Sequence, residues 1–191
     1  MRCPIFSLSP LRLLTLFVGM MTSGSYLSPS LSAQSTETVS LHGGWSLRES
    51  SRGEWLPATV PGVVQQDLIR HGRLPDPYYR QAEDLIQWVG ERDWVYRCTF
   101  DLTPAQLAYP SRHLLFEGLD TYARVYLNGQ LILSSDNMFV RHEVDVRRYL
   151  RRTNTLELHF SSPLKAALPL YEASGKLNYP AENDHAQLRL S

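Results

Sequence analysis

From about Thr36 onward, the chain consists of short stretches in which apolar and polar residues alternate, separated by turn residues. Alternation with a period of two is typical of a β-strand that has one face in a protein core. The longest such stretch, residues 94–102, is rich in aromatic and β-branched residues. Further strands are predicted at 38–41, 45–47, 113–117, 123–127, 131–133, 143–146 and 155–160. Many short strands with regular turns predict an all-β sandwich, and we expect the jelly-roll type.

Two turns are predicted from glycine-containing dipeptides. Asn128-Gly129 lies between two apolar stretches and is the strongest short-range signal for a β-hairpin, because both central residues of that turn need a positive φ. Gly43-Gly44 lies between the strands predicted at 38–41 and 45–47, and this arrangement is also typical of a hairpin.

Helical patterns are few. Residues 63–71 place apolar side chains at helical spacing, and Gly72 is a suitable C-terminal stop. Residues 163–174 predict a second short helix, which we expect Pro169 to limit. Residues 72–91 contain prolines and tyrosines without a clear period and therefore predict a long loop. Long loops of this kind in a compact domain usually have a function or form an interface.

Residues 1–33 differ from the rest of the chain. Arg2 and Arg12 are their only charged residues, and a nine-residue apolar run is followed by small and polar residues. These are the parts of a secretory signal peptide, and the apolar run is too short to span a bilayer. We therefore expect secretion or export to the periplasm, with cleavage after Ala33 or, as a second choice, after Gly24. A buried N-terminal helix fits the flanking residues less well.

Composition narrows the range of partners. Hydrophobic residues make up 43% of the chain and charged residues 20%, which is typical of a folded domain. The formal net charge is zero, and removal of residues 1–33 leaves 17 basic against 19 acidic residues. Nucleic acid is therefore not expected as a partner, because phosphate binding needs a clustered basic surface.

The cysteines and histidines indicate no bound group. Once residues 1–33 are removed, Cys98 has no disulfide partner. No Cys/His cluster has zinc-ligand spacing, so we expect neither a metal nor a cofactor.

Five segments occur in a characteristic order, at residues 60–64, 72–79, 87–97, 118–129 and 137–139. Together they resemble the N-terminal sugar-binding domain of β-mannosidases in glycoside hydrolase family two. The run Leu119-Asp120-Thr121 through Asn128-Gly129 resembles the wider family, and Gln87-Trp88 with Glu91-Arg92-Asp93-Trp94 resembles its β-mannosidase-like members. The resemblance covers roughly residues 40–191, nearly all of the chain after the predicted signal peptide.

The resemblance implies a galactose-binding-domain-like jelly-roll β-sandwich over residues 36–191, with one or two short helices. It implies the non-catalytic part of a retaining glycosidase that hydrolyses terminal β-D-mannose residues in oligosaccharides or glycans. Because the family carries its two catalytic glutamates on a later TIM barrel, we expect no catalytic residue in this chain, no hydrolysis by it alone, and truncation before the last strands of the domain. The expected partners are a β-mannoside glycan and the barrel of the same polypeptide, with no membrane contact after signal cleavage.

By the same resemblance, the loop between Gly72 and Asp93 faces the sugar site of the barrel. Glu83 and Trp88 are therefore the candidate substrate-binding residues. Glu83 would accept hydrogen bonds from sugar hydroxyls, and the face of Trp88 would stack on a pyranose ring. Relatives commonly have an asparagine where this chain has Ala82, which puts the hydrogen bonding of that loop in doubt. The alternative is that Glu83 and Trp88 only pack the loop on the barrel.

Other positions allow a structural and a functional interpretation. We expect Trp94 and Tyr96 to lie in the core, because they alternate along a strand. We expect Asp120-Thr121 to form a local turn rather than a ligand contact. Residues 91–93 are either a cluster of ion pairs that fixes the loop or a sugar contact, and both interpretations stay open.

A free-standing carbohydrate-binding module without catalysis is the alternative function. The two hypotheses differ in the length of the polypeptide. Continuation into a Gly-Trp-Asp-Trp-Gly segment and a barrel would identify the enzyme.

Overall fold

A computed structural model describes residues 36–51, 53–76 and 85–173, together with the backbone of residues 2–8. The strands are β1 Arg2–Leu8, β2 Glu37–Ser40, β3 Trp45–Glu49, β4 Leu56–Pro57, β5 Trp94–Asp101, β6 His113–Gly118, β7 Ala123–Leu127, β8 Gln130–Ser135, β9 His142–Asp145 and β10 Thr153–Phe160. The helices are α1 Val64–Arg70, α2 Pro104–Ala108 and α3 Pro163–Ala173, and a 3-10 helix spans Gln87–Glu91.

These strands form two sheets in which all the described pairs are antiparallel. The four-stranded sheet has the order β2-β1-β6-β9, and the six-stranded sheet has the order β4-β3-β5-β10-β7-β8. Both contribute apolar residues to one hydrophobic core. The predicted all-β fold with a few short helices is confirmed.

The core is built from the alternating residues that the sequence pattern indicated. In β10, every second residue from Asn154 to Phe160 is buried. Trp94 and Tyr96 on β5 are 6% and 0% exposed, so their predicted place in the core is confirmed. Burial of each large apolar side chain stabilises the fold by roughly 1.5–3 kcal/mol. The fully buried apolar side chains include Leu47, Leu114, Phe116, Leu119, Val125, Leu127, Leu156 and Leu158.

The hairpin predicted at Gly43-Gly44 is wrong. The strands on either side of it exist, but β2 belongs to the four-stranded sheet and β3 to the six-stranded sheet. Leu41 and Trp45, which flank the turn, are both buried, and the Trp45 Nε1–H donates a hydrogen bond to the Leu41 carbonyl at 2.6 Å. Because both residues reach the shared core, the chain crosses from one sheet to the other at this turn.

The hairpin predicted at Asn128-Gly129 is confirmed. β7 and β8 pair with Leu127 opposite Gln130, and Asn128 and Gly129 have φ values of 52° and 80°. The Asn128 side chain also bonds outside the hairpin. Its Nδ2 donates to the Tyr149 carbonyl at 2.8 Å, and its Oδ1 accepts from the backbone N–H of Thr155 at 2.9 Å. The turn is thereby tied to β10, the neighbour of β7.

β1 occupies the space between β2 and β6 and pairs with both. Residues 2–8 fall within the predicted signal peptide, where the sequence pattern predicted no strand. The predicted cleavage after Ala33 stays a prediction.

The two predicted helices are present with small changes. α1 ends at Arg70, and Gly72 stops it as expected, with a φ of 66°. The N–H groups of Gly72 and Arg73 close the helix end on the carbonyls of Ile69 and Leu68. α3 continues past Pro169 to Ala173, so the expectation that this proline limits the helix is wrong. Pro169 is exposed, and water can therefore satisfy the carbonyl that the missing N–H leaves free.

Candidate functional site

Several segments meet at one end of the sandwich, which we call the loop end: the 3-10 helix, the start of β5, the end of β10 and the start of α3. Asp93 Oδ1 accepts a hydrogen bond from the backbone N–H of Ser162 at 2.8 Å and lies 3.6 Å from Nζ of Lys165. Ser162 Oγ donates to the Gly90 carbonyl at 2.7 Å and accepts from the Lys165 N–H at 3.3 Å, which caps α3. The 3-10 helix is therefore firmly attached to β5 and α3.

The charged run at residues 91–93 does not pair within itself. Arg92 Nη1 lies 3.2 Å from Glu49 Oε1 on β3, whereas Asp93 bonds to Ser162 and Lys165. Each of these two charges thus connects the loop to a different element. Arg92 and Asp93 therefore fix the loop in place, which is the structural role that one of the two interpretations of residues 91–93 predicted.

Trp88 lies on the 3-10 helix and is half-buried. Its ring packs against the ring of Trp94, with centroids 6.2 Å apart and planes tilted by 43°. It also lines an open pocket of about 340 Å³, the Trp88 pocket. The charged residues that line this pocket are Arg48, Glu49, Glu54 and Arg73. The indole therefore anchors the 3-10 helix on the core and also presents surface to a pocket with both signs of charge.

Part of the polar rim of the Trp88 pocket is already engaged. Glu49 pairs with Arg92, and Glu54 lies 3.8 Å from Arg73. The Arg48 guanidinium lies 4.6 Å from the ring centroid of Trp55, and its buried Nε has no hydrogen-bond partner among the described residues. The carboxylates at this rim are therefore already paired with arginines.

Glu83, the other candidate substrate-binding residue, lies outside the described residues. The structure therefore does not show whether it approaches Trp88, and its assignment stays a prediction.

A second pocket of about 190 Å³, the Asp120 pocket, lies near the N-terminus of α1. Asp120 is exposed on its wall, and Thr121 Oγ1 donates a hydrogen bond to the Asp120 carboxylate, as a local turn interpretation expects. Trp94 lines both pockets and therefore separates them, and its Nε1–H donates to the Val89 carbonyl at 3.0 Å. Gln65, Arg92 and Ser161 are the other polar residues that line this pocket.

The buried carboxylate of Asp67 was not predicted from the sequence. This residue is 1% exposed, and its Oδ1 accepts hydrogen bonds from the Thr59 N–H at 3.1 Å and from Arg70 Nη1 at 2.7 Å. Burial and, next, the negative charge of Asp67 raise the pKa of Tyr96 well above its usual range. The spacing of Asp67 and Arg70 on one helix face was the available signal. The hydrogen bond from Thr59 ties the segment before α1 to the helix, next to residues 62–65 of the Asp120 pocket.

Other kinds of site are not evident within the described parts of the chain. No group of three or more His, Cys, Asp or Glu side chains there is placed to hold a metal ion. No helix in those parts is long and apolar enough to cross a membrane. Cys98 is 3% exposed, and burial raises the pKa of its thiol to about 12, so it lacks the thiolate character of a nucleophile.

Comparison with known families decides the assignment of this fold. The family model described as glycosyl hydrolase 2 galactose-binding domain-like matches residues 45–190. The chain belongs to this family. β-Mannosidase B of Aspergillus clavatus is 40% identical over 146 residues, covering 73% of this chain and 17% of that protein. β-Mannosidase of Rattus norvegicus is 34% identical over 145 residues, covering 76% of this chain and 16% of that protein.

A solved structure agrees with this assignment, and a more distant one shares the fold. The β-D-mannosidase from Dictyoglomus thermophilum superimposes with a TM-score of 0.69 at 36% identity, covering 77% of this chain and 18% of that chain. An exo-chitosanase from Amycolatopsis orientalis, at 19% identity and a TM-score of 0.55, shares the fold over 62% of this chain and 16% of its own. The chain therefore spans about a sixth of the length of the relatives it matches, and it corresponds to the N-terminal domain of β-mannosidase homologues.

Proposed function

We propose that this family member serves as the non-catalytic N-terminal domain of a β-mannosidase-like enzyme that hydrolyses terminal β-D-mannose residues in oligosaccharides or glycans. The similarity to fungal, mammalian and bacterial β-mannosidases across most of the described chain carries the proposal. The partner it requires is the catalytic barrel of the same polypeptide.

The chemistry of the two pockets supports a non-catalytic role. A retaining glycosidase needs two carboxyl groups roughly 5 Å apart on either side of the glycosidic bond. Asp120 is the single carboxylate among the described residues that line the Asp120 pocket. In the Trp88 pocket, Glu49 and Glu54 are both engaged by arginines. Neither pocket thus offers a free pair of carboxylates, and we assign hydrolysis to the barrel.

The loop end is the part of the domain that we assign to the mannoside. Trp88 presents an aromatic surface on a firmly held 3-10 helix. An aromatic face of this kind stacks on the apolar face of a pyranose, while charged groups on the rim bond to its hydroxyls. In this proposal, Glu83 accepts further hydrogen bonds from the sugar.

We also propose export of the protein. The basic start, apolar run and small residues of 1–33 support a signal peptide that is cleaved after Ala33, and a secreted or periplasmic location follows from it. Mass spectrometry of the exported protein's N-terminus would test this. A mature protein that begins at Met1 would contradict it.

Activity assays test the enzymatic role. The polypeptide extended by its natural continuation should release nitrophenol from nitrophenyl β-mannoside, and the same polypeptide assayed on the α-anomer provides the control. An extended polypeptide that cleaves neither anomer, or cleaves only the α-anomer, would contradict the proposal.

A free-standing carbohydrate-binding module is the second candidate, and the open Trp88 pocket favours it. In that case, the chain by itself should bind manno-oligosaccharides, with quenching of tryptophan fluorescence that Trp88→Ala abolishes. Tyr149→Ala serves as a matched control, because Tyr149 is a half-buried aromatic residue that does not line the pocket. Absence of binding at millimolar oligosaccharide would rule out this candidate.

A further inference from the structure

An open pocket lies at the end of β9 and shares no lining residue with the Trp88 pocket or the Asp120 pocket. We call it the arginine pocket, since it is lined by Arg112, Asp145, Arg147 and Arg148. Its volume of about 350 Å³ lies within the range of small-molecule sites. We infer that the arginine pocket binds a doubly charged tetrahedral oxyanion, that is, a phosphate or sulfate group. This inference does not depend on the β-mannosidase role.

Strand pairing brings the residues of the arginine pocket together. Asp145, the last residue of β9, lies opposite His113 of β6. The next residue, Val146, donates its backbone N–H to the Arg112 carbonyl at 2.9 Å and is fully buried. The Val146 carbonyl accepts hydrogen bonds from the turn at residues 147–150. The two arginines that follow β9 are therefore held beside the arginine that precedes β6.

Backbone carbonyls hold two of the three guanidinium groups. Arg112 Nη1 donates a hydrogen bond to the Leu107 carbonyl, and Arg147 Nη1 donates to the Pro110 carbonyl at 3.1 Å. Arg147 Nε also donates to the Asp145 carboxylate at 3.0 Å. Because these side chains are ordered before an anion arrives, binding loses less side-chain entropy than it would at freely moving arginines.

The arginine pocket has an excess of two positive charges. Asp145 is the single carboxylate among the described residues that line it, and it pairs with Arg147 at 2.9 Å. Hydrogen bonds from the Arg147 N–H and guanidinium hold the pKa of Asp145 below its usual value, so this carboxylate is ionised near neutral pH. Arg112 and Arg148 have no carboxylate partner within the described parts of the chain.

This excess distinguishes the arginine pocket from the other two and defines its ligand. The charged residues of the Trp88 pocket are two arginines and two glutamates, and those of the Asp120 pocket are one arginine and one aspartate. An excess of two positive charges matches a dianion, and the planar fork of a guanidinium matches two oxygens of a phosphate or sulfate group. A carboxylate would leave one positive charge without a counter-charge, and a neutral sugar would leave both.

Titration of the full chain, followed by NMR, tests the inference. Inorganic phosphate, inorganic sulfate and glucose 6-phosphate are added separately at about pH 7.5, where a phosphate group is mostly doubly charged. Glucose is the neutral control. We expect saturable shifts of the amide signals of residues 112 and 145–148 with the anions, and unchanged signals from β10. Tighter binding of glucose 6-phosphate than of inorganic phosphate would identify an ester as the ligand, whereas equal or weaker binding would identify the free ion.

Variants at position 148 test whether the arginine pocket carries the binding. Arg148→Gln should weaken binding about fivefold or more, because it removes an unpaired charge close to the anion. Arg148→Lys, which keeps the charge but lacks the planar fork, should restore part of the affinity. Arg141→Gln is the matched control, since Arg141 is exposed, precedes the other end of β9 and does not line the pocket.

Three results would overturn the inference. The first is the absence of saturable shifts with all three anions. The second is equal weakening by Arg148→Gln and Arg141→Gln, which would indicate only a general attraction of anions to positive charge. The third is binding of glucose as tight as that of glucose 6-phosphate, because the charged group would then contribute nothing.

Discussion

The side-chain oxygen of Asn154 accepts a hydrogen bond from Asn128 Nδ2 at 3.0 Å. Asn154 is fully buried, and its Oδ1 also accepts from the Arg151 N–H at 2.8 Å while its Nδ2 donates to the Arg151 carbonyl at 2.7 Å. One amide therefore joins the β7–β8 turn, the loop before β10, and β10 itself. The hairpin that the sequence indicated most clearly thus depends on a residue that lies 26 positions further along the chain.

Replacement of Asn154 by alanine should strongly destabilise the domain. The substitution leaves the Asn128 amide and the Arg151 N–H without their acceptor in a buried site, which should lower the free energy of unfolding by about 2–4 kcal/mol. Urea unfolding followed by fluorescence measures this change. Asn137→Ala is the matched control, since Asn137 is exposed and makes a local hydrogen bond to the Phe139 N–H. Equal effects of the two substitutions would contradict the prediction.

Replacement of Gly129 by valine should destabilise the β7–β8 hairpin. Gly129 has a φ of 80°, where a β-branched residue is strained, so the cost should be about 1–3 kcal/mol. Gly43→Val is the control, because a Cβ at Gly43 meets no atom within 4 Å and its φ is not in the left-handed region. Thermal unfolding of the two variants compares backbone strain directly. An unchanged midpoint for Gly129→Val would show that strain at this turn does not limit stability.

The buried thiol of Cys98 should make the domain less stable in mild alkali. Burial raises its pKa from 9.0 to about 12, so above pH 9 the thiol ionises in the unfolded chain but not in the folded one. Stability is therefore full below pH 9 and falls as the pH rises, by about 1.4 kcal/mol from this group at pH 10. Tyr96, whose pKa is also raised, adds to the loss only at higher pH.

The contribution of Cys98 is measured in a Cys3→Ser background, by comparing unfolding at pH 8 and pH 10 with and without Cys98→Val. The valine variant should lose less stability over this range than its parent, whatever its stability at pH 8. Parallel pH profiles would show that the thiol does not carry the effect.

Removal of Trp88 should separate substrate binding from packing. In the extended enzyme, Trp88→Ala should lower kcat/KM on a β-mannoside by 10-fold or more, which corresponds to a loss of about 1.4 kcal/mol in transition-state binding. Tyr149→Ala, a half-buried aromatic residue at the opposite end of the sandwich, controls for general destabilisation. A Trp88→Ala enzyme with unchanged kcat/KM and reduced thermal stability would leave Trp88 with a structural role only.

The chain by itself should not hydrolyse mannosides. Neither the Trp88 pocket nor the Asp120 pocket offers two free carboxylates, so no release of nitrophenol above the buffer rate is expected. Activity that stays with the purified chain through successive columns would contradict the assignment of hydrolysis to the barrel.

The sequence by itself determined the strands other than β1 and β4, much of the core and the β7–β8 turn, because each depends on near neighbours. Alternation placed Trp94 and Tyr96 in the core, and Asn128-Gly129 adopts the positive φ values that its residue types permit. The same local rules failed at Gly43-Gly44, since a glycine turn does not specify whether the next strand returns to the same sheet or crosses to the other. Only the packing of Leu41 and Trp45 into a shared core decided that.

The tertiary structure also decided the contacts of the loop end. Arg92 pairs with Glu49 and Asp93 with Ser162 across 43 and 69 positions of sequence, separations at which residue type gives no information about the partner. The burial of Asp67 and the place of β1 between β2 and β6 likewise depend on contacts between segments that are distant in sequence. Strand pairing and charge pairing between distant segments depend on the whole fold, whereas periodicity and turn chemistry depend on neighbouring residues.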